Sequence, residues 1–159
     1  SSFLYAKKSF QENIDPLVIS WGWEPEEPGE SIFLDYHQWQ GTRDMSAFLT
    51  VPEAINFMEN YNWKYISNHC HDLVVEFRNN INKKFGIEKI CPDSWLGQMS
   101  SFQVPFQDEN ELYTLMKKKN IIIPVMKWNN KTYMRISING YNTSDDISTL
   151  IDGLSNLGL

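Results

Sequence analysis

Arg135 stands in the run Tyr133-Met134-Arg135-Ile136-Ser137-Ile138. Strand alternation puts Tyr133, Arg135 and Ser137 on one face and Met134, Ile136 and Ile138 on the other. An arginine flanked by apolar neighbours in a strand is expensive to bury unless its guanidinium has an anionic partner. Its planar fork suits a carboxylate bidentately, which makes Arg135 a candidate carboxylate clamp. The alternatives are an arginine on a solvated sheet face or in a structural ion pair. A second group is Trp39-Gln40-Gly41-Thr42-Arg43-Asp44. Gly41 lets the backbone come close to a ligand, and the Thr42 hydroxyl with backbone N–H groups ahead of a helix can bind phosphate. An Arg43–Asp44 ion pair could fix the turn. The alternative is an ordinary loop before a helix.

The remaining reactive residues form no constellation. His69-Cys70-His71 resembles a metal cluster on paper. Successive helical side chains diverge by about 100°, however, so the three do not converge. No second ligand pair at zinc-finger spacing accompanies them, and no metal site is expected. His37 precedes the Gly-Thr turn and is a candidate to line a site there, or a surface residue. A P-loop, a Gly-x-Gly-x-x-Gly, a Gly-x-Ser-x-Gly and a paired-carboxylate signature are all lacking.

These residues need elements to hold them. Residues 2–6 and 16–20 are short apolar runs of the buried-strand type. The stretch from Trp21 to Glu30 then breaks all periodicity with two prolines, two glycines and four carboxylates, and reads as a loop. Thr50-Val51-Pro52-Glu53 has the order of a cap, an early proline and a capping-box glutamate. Ala54, Ile55, Phe57 and Met58 follow as an expected buried face, on a helix starting either near Ser46 or at Thr50. A longer helix is predicted from about Asn62 to Phe85, with Ile66, Cys70, Leu73, Phe77 and Ile81 at spacings of three and four. Lys83 and Lys84 suit its last turn, and Gly86 its left-handed end.

Residues 101–106 read as a strand. Asp108-Glu109-Asn110-Glu111 reads as a helix start and Lys117-Lys118-Lys119-Asn120 as its stop. Residues 121–127 and 131–138 form a predicted hairpin about Asn129-Asn130. Thr143-Ser144-Asp145-Asp146 caps a last helix that carries Ile147, Leu150, Ile151 and Leu154 on one face. This order predicts an α+β domain, a small antiparallel sheet with helices on one side.

Composition narrows the function classes. The 159 residues suit one domain or slightly more. Hydrophobic residues at 42% and charged residues at 21% argue for a packed globular chain. Fourteen Lys and Arg against twenty Asp and Glu leave −6, which argues against nucleic acid or an anionic membrane as the main partner. No apolar run approaches the ~18 residues of a membrane-spanning helix. Two cysteines cannot make a disulfide scaffold, although one Cys70–Cys91 bridge is arithmetically open. With no signal-peptide layout at the first residues, the expected setting is cytoplasmic. The Asn130-Lys131-Thr132 and Asn142-Thr143-Ser144 sequons then read as chance matches.

Read in order, several segments are similar to one family. They are Phe3-Leu4-Tyr5, Val18-Ile19-Ser20-Trp21-Gly22, Trp39-Gln40-Gly41-Thr42-Arg43-Asp44, Val51-Pro52-Glu53-Ala54-Ile55 and Met134-Arg135-Ile136-Ser137 with Tyr141-Asn142-Thr143 and Asp145-Asp146. They resemble the C-terminal part of pyridoxal-phosphate enzymes of the class V aminotransferase superfamily, in its isopenicillin N epimerase-like branch. The resemblance covers essentially the whole chain. It departs at Met45, where relatives usually carry proline, and at Asn139-Gly140, where many carry bulkier or histidine-containing sequence.

The resemblance implies that Gly41 and Thr42 reach the cofactor phosphate of a neighbouring subunit in a homodimer, with Arg43 and Asp44 organising the loop. It implies that Arg135 binds the α-carboxylate of an amino-acid substrate. The implied layout is a remnant of the large cofactor-binding domain over 1–60, a connecting helix over 61–85 and a small C-terminal domain over 86–159. The family's Schiff-base lysine lies upstream of the segment like Phe3-Leu4-Tyr5, so Lys7 and Lys8 do not take that role. No catalytic residue is therefore expected in this chain. The expectation is a fragment, inactive and without bound pyridoxal phosphate when alone, drawn from an epimerase, a cysteine desulfurase or lyase, or an aminotransferase. The alternative is a free-standing, non-catalytic binding module. A fragment would expose Phe3, Leu4, Tyr5, Val18, Ile19 and Trp21 and self-associate, or be disordered there.

Overall fold

A computed structural model of the chain describes residues 1–158. The chain divides into two units, Ser1–Phe57 and Met58–Leu159. The second unit holds the hydrophobic core. Its long helix α5 (Trp63–Phe85) buries Cys70, Leu73, Val74, Phe77 and Ile81 as one stripe. Gly86 ends it at φ 68°, where its N–H donates to the Asn82 carbonyl at 2.9 Å. Three strands follow: β1 (Met99–Val104), β2 (Val125–Trp128) and β3 (Lys131–Ser137). They form an antiparallel sheet in the order β1-β3-β2. Asn129 and Asn130, at φ 47° and 58°, close the β2–β3 hairpin as a two-residue turn of the primed type.

The pleat sorts the sheet into two faces. Ser100, Phe102, Val104, Thr132, Met134 and Ile136 are buried. Phe77 of α5 meets Phe102 edge-on at 5.1 Å between ring centroids. The helices α6 (Glu109–Lys118) and α7 (Ser144–Ser155) add Leu112, Met116, Ile147 and Leu154 to the same core. The Asp108 carboxylate caps α6 by accepting from the amides of Asn110 and Glu111. Thr143 and Asp146 cap α7 reciprocally as a capping box. Gly153 lets α7 close onto the neighbouring segment, because a Cβ there would stand 2.6 Å from Ile121 Cδ1. Helices thus lie over one face of the sheet only, and the expected α+β arrangement is observed.

Arg78 is the one charged residue in this core among the described residues. Its guanidinium pairs with Asp93 at 2.7 Å and donates to the Cys91 carbonyl. Asp93 opens a 3₁₀ turn over Asp93–Trp95 and also meets Lys89 at 2.7 Å. The pair thereby ties the segment between α5 and β1 to the helix.

The first unit is built differently. Its helices are α1 (Lys8–Gln11), α2 (Ile32–Gln38) and α3 (Ser46–Leu49), and α4 (Val51–Asn60) begins in it. Among its residues only Pro16 is buried. The loop of residues 21–30 is pinned on α2, where Trp23 stacks on Tyr36 at 4.6 Å and the Asp35 carboxylate accepts from the Gly29 amide at 2.9 Å. Gly22 crosses so closely that a Cβ would fall on the Asp35 carbonyl oxygen. Nine carboxylates and three cations lie in residues 1–57, which is the whole of the chain's net −6.

Several expectations are corrected. Residues 2–6 and 16–20 are not strands, and no described residue before Met99 is in a strand. A strand needs a neighbour for its backbone N–H and C=O groups, and this unit offers none. Ala54, Ile55, Phe57 and Met58 are exposed rather than buried. Thr50 is the C-cap of α3, and its hydroxyl does not turn to the amides of α4. It separates α3 from α4, and its hydroxyl donates to the Ala47 carbonyl at 2.9 Å. The hairpin starts at Val125, since Pro124 has no N–H to give a ladder. Phe3, Leu4, Tyr5, Val18, Ile19 and Trp21 are all exposed.

Candidate functional site

Arg135 sits on the central strand of the sheet, on the face that the helices leave open. Ser101 is its partner across the β1–β3 ladder. On the other side its own N–H donates to the Pro124 carbonyl at 3.2 Å, just before β2 begins. Both flanking residues are small. Among the described residues Arg135 has no ion pair and no side-chain hydrogen bond, and it is exposed. A structural ion pair is thereby removed from the alternatives.

A cavity of about 360 Å³ opens beside it. Ile122, Pro124, Arg135, Ser137, Asn142 and Thr149 line it, with core side chains of β3 and α7 behind them. Asn142 holds this end of the strand. Its Oδ1 accepts from the Asn139 amide at 2.9 Å and its Nδ2 donates to Asp146 at 3.2 Å. Asp146 also accepts from the Thr143 amide at 3.0 Å. The Tyr141-Asn142-Thr143 segment therefore links the end of β3 to the cap of α7.

In the first unit Gly41 has φ 103°, a left-handed value that suits glycine, and open space where a Cβ would point. Thr42 is exposed beside it. Arg43 and Asp44 do not pair with each other. The Arg43 guanidinium lies over the Phe48 ring at 4.9 Å and reaches the Gln40 side chain at 3.4 Å. The Asp44 carboxylate accepts from the Ser46 amide at 2.8 Å and the Ser46 hydroxyl at 2.9 Å. Those two bonds hold its pKa below the ordinary aspartate value.

The pyridoxal phosphate implied by the resemblance finds a partial fit in these residues. Among the described residues, Gly41 of the first unit presents backbone without a side chain and the Thr42 hydroxyl has no hydrogen-bond partner, and separately in the second unit Arg135 has no ion pair. No lysine lines the cavity beside Arg135.

The other candidates do not converge. His69 is exposed, Cys70 is buried and His71 faces the Gly97 carbonyl at 3.3 Å. No group of three metal-ligating side chains occurs among the described residues. His37 packs on Phe33 and donates from Nδ1 to the Phe33 carbonyl at 2.8 Å, and its Nε2 is buried without a partner. Cys70 and Cys91 are both free thiols. The sequence reading missed Arg78 and Ile122. Arg78 had a signal, a cation falling on the apolar stripe of α5. Ile122 had none, since Ile121-Ile122-Ile123 does not say which side chain turns outward.

No family model matches the chain. It is 26% identical over 155 residues to the isopenicillin N epimerase of Amycolatopsis lactamdurans, covering 89% of this chain and 39% of that protein. It is 28% identical to the isopenicillin N epimerase of Streptomyces clavuligerus, covering 98% and 42%. It is also 28% identical to a probable chloroplastic L-cysteine desulfhydrase of Arabidopsis thaliana, covering 98% and 36%. Its fold is similar to that of an apo cysteine desulfurase from Thermococcus onnurineus NA1. The TM-score is 0.74 at 17% identity, covering 98% of this chain and 42% of that one.

These likenesses support a relationship of the chain to the pyridoxal-phosphate-dependent, class V aminotransferase-like superfamily. Its small sheet and packed helices fit the C-terminal domain of such an enzyme of fold type I. The chain spans about two-fifths of the length of the curated relatives it matches.

Proposed function

We propose that the chain is the C-terminal portion of a pyridoxal-phosphate enzyme acting on an amino acid, of epimerase, cysteine desulfurase or lyase, or aminotransferase type. In this reading residues 1–60 complete a large cofactor-binding domain, α5 connects, and residues 86–159 form the small domain. Arg135 takes the substrate α-carboxylate. Gly41 and Thr42 contact the cofactor phosphate of the neighbouring subunit of a homodimer, and Arg43 and Asp44 organise that loop. The cofactor, when bound, supplies an electron sink for bonds at the substrate α-carbon. The lysine that holds it belongs to residues outside this chain, so the chain alone is inactive. A reducing, cytoplasmic setting agrees with the two free thiols.

The observation that carries the reading is Arg135 itself, an uncompensated guanidinium on a rigid central strand beside a cavity. Support for the large-domain assignment comes from unit 1, whose apolar side chains find no core of their own. In an enzyme that contains this chain, Arg135→Lys should weaken substrate binding roughly 10- to 100-fold, because the two parallel bonds of a bidentate pair become one. Unchanged kinetics would remove the assignment.

A second reading, a non-catalytic binding module, is favoured by one fact, the complete core of the second unit. Adding pyridoxal phosphate tests the missing lysine. A near-visible absorbance band that survives dialysis would contradict the absence of the cofactor lysine.

A further inference from the structure

The cavity beside Arg135 also specifies what kind of carboxylate fits, and this step rests on reading Arg135 as the carboxylate clamp. Its volume of about 360 Å³ lies within the range of small-ligand sites. Arg135 is the only cation that lines it. The only anion, Asp146, is engaged by the Thr143 amide and by Asn142. The Asn142 side chain is engaged at both ends, by Asn139 and Asp146. Apart from the hydroxyls of Ser137 and Thr149 and the amide of Asn120, what faces the space is apolar.

Ile122 stands out in this lining. It is 81% exposed, whereas Ile123 is buried and Ile121 packs on Gly153. Leaving a side chain of that size in water forgoes the stabilisation that burying it would bring. Its position is nevertheless fixed. Ile123 anchors one side in the core, and the Pro124 carbonyl accepts from the Arg135 amide at 3.2 Å. Pro124, two residues on, restricts φ there. Ile122 is therefore an apolar group held near the guanidinium rather than one on a loose loop.

We infer that Ile122, backed by Pro124, is a specificity-determining residue of the Arg135 site, and that the site takes amino acids with an apolar side chain of valine or leucine size. The carboxylate meets Arg135, and the side chain covers Ile122. Anionic side chains find no second cation in the lining, and short ones leave Ile122 in water.

The test uses the 159-residue chain and two simple carboxylates, acetate and 4-methylpentanoate, followed by ligand-observed saturation-transfer NMR, which works on an oligomer as well. Both should give a signal that Arg135→Gln removes. 4-Methylpentanoate should bind roughly fivefold more tightly than acetate, a fraction of full methylene burial. Ile122→Ser should abolish that advantage and leave acetate binding unchanged. An exposed substitution of this kind leaves the fold intact, which an unchanged far-ultraviolet circular dichroism spectrum verifies. Equal affinities in the parent chain, or an advantage that persists in Ile122→Ser, overturn the role of Ile122 while Arg135 stands. No Arg135-dependent acetate signal overturns the clamp and the inference with it.

Discussion

The buried Arg78 offers the sharpest quantitative test of how the second unit is held together. Its side chain is 3% exposed, with Asp93 at 2.7 Å and the Cys91 carbonyl as partners. Arg78→Ala removes two packed methylenes, Cγ and Cδ, worth about 1.6 kcal/mol at roughly 0.8 kcal/mol each. It also leaves the Cys91 carbonyl without its donor, which costs about 1–3 kcal/mol if the group stays dry. Asp93 suffers less, because it is partly exposed and keeps Lys89 at 2.7 Å. The expected loss is therefore about 4 kcal/mol. Arg78→Met keeps most of the packing and loses only the polar contacts, so its expected loss is about 2 kcal/mol.

A domain of roughly 100 residues shifts its Tm by about 4 °C or more per kcal/mol. Urea and thermal unfolding followed by circular dichroism should then place Arg78→Met about 8 °C below the parent chain and Arg78→Ala about 16 °C below it. Buried ion pairs are sometimes replaced by apolar residues without loss. An Arg78→Met variant as stable as the parent would refute the reasoning, since it would mean that packing alone holds the 3₁₀ turn to α5.

Other outcomes follow from the same geometry. The carboxyls of Asp44 and Asp93 are both held below the ordinary aspartate value, Asp44 by Ser46 and Asp93 first by Lys89. A depressed folded pKa contributes stability that is present above the unfolded value of ~3.9 and lost as pH falls through the folded one. The Ser46 amide resonance should therefore hold steady at neutral pH and move only in acid below that value, and Asp44→Asn should abolish the titration. Gly41→Ala forces a side chain into a left-handed backbone, a strain of about 1–2 kcal/mol. In a cofactor-loaded enzyme this should weaken pyridoxal-phosphate affinity roughly tenfold, measured by equilibrium dialysis. The isolated chain should self-associate through Phe3, Leu4, Ile19 and Trp21, and sedimentation should show it. A monodisperse monomer would count against the proposal that residues 1–60 belong to a larger domain.

The second unit was largely readable from its residues. The stripe Cys70, Leu73, Phe77 and Ile81 repeats at helical spacing, and α5 ends at Gly86 as the glycine and the two lysines indicate. Asp108 and Thr143 start α6 and α7, and Asn129-Asn130 turns the hairpin. These signals are local, because each cap or turn satisfies backbone groups within a few residues. The first unit was misread for the opposite reason. Apolar runs such as Pro16-Leu17-Val18-Ile19-Ser20 state that a surface is to be covered but not by what.

The candidate site divides in the same way. Alternation along β3 was enough to put Arg135 on the face opposite Met134 and Ile136, and the glycine at 41 was enough to mark an unusual backbone. Whether Arg135 was spent on a neighbouring carboxylate depended on which strands flank it. The order β1-β3-β2 sets Ser101 and Pro124 beside it and leaves the guanidinium free. The same holds for Arg43 and Asp44, adjacent in sequence yet turned to Phe48 and Ser46. Side-chain type and spacing determine what a residue is able to bind, since those are covalent facts. Which partner it meets is a matter of distance across the fold, and only the tertiary structure brings distant segments to within a few ångströms.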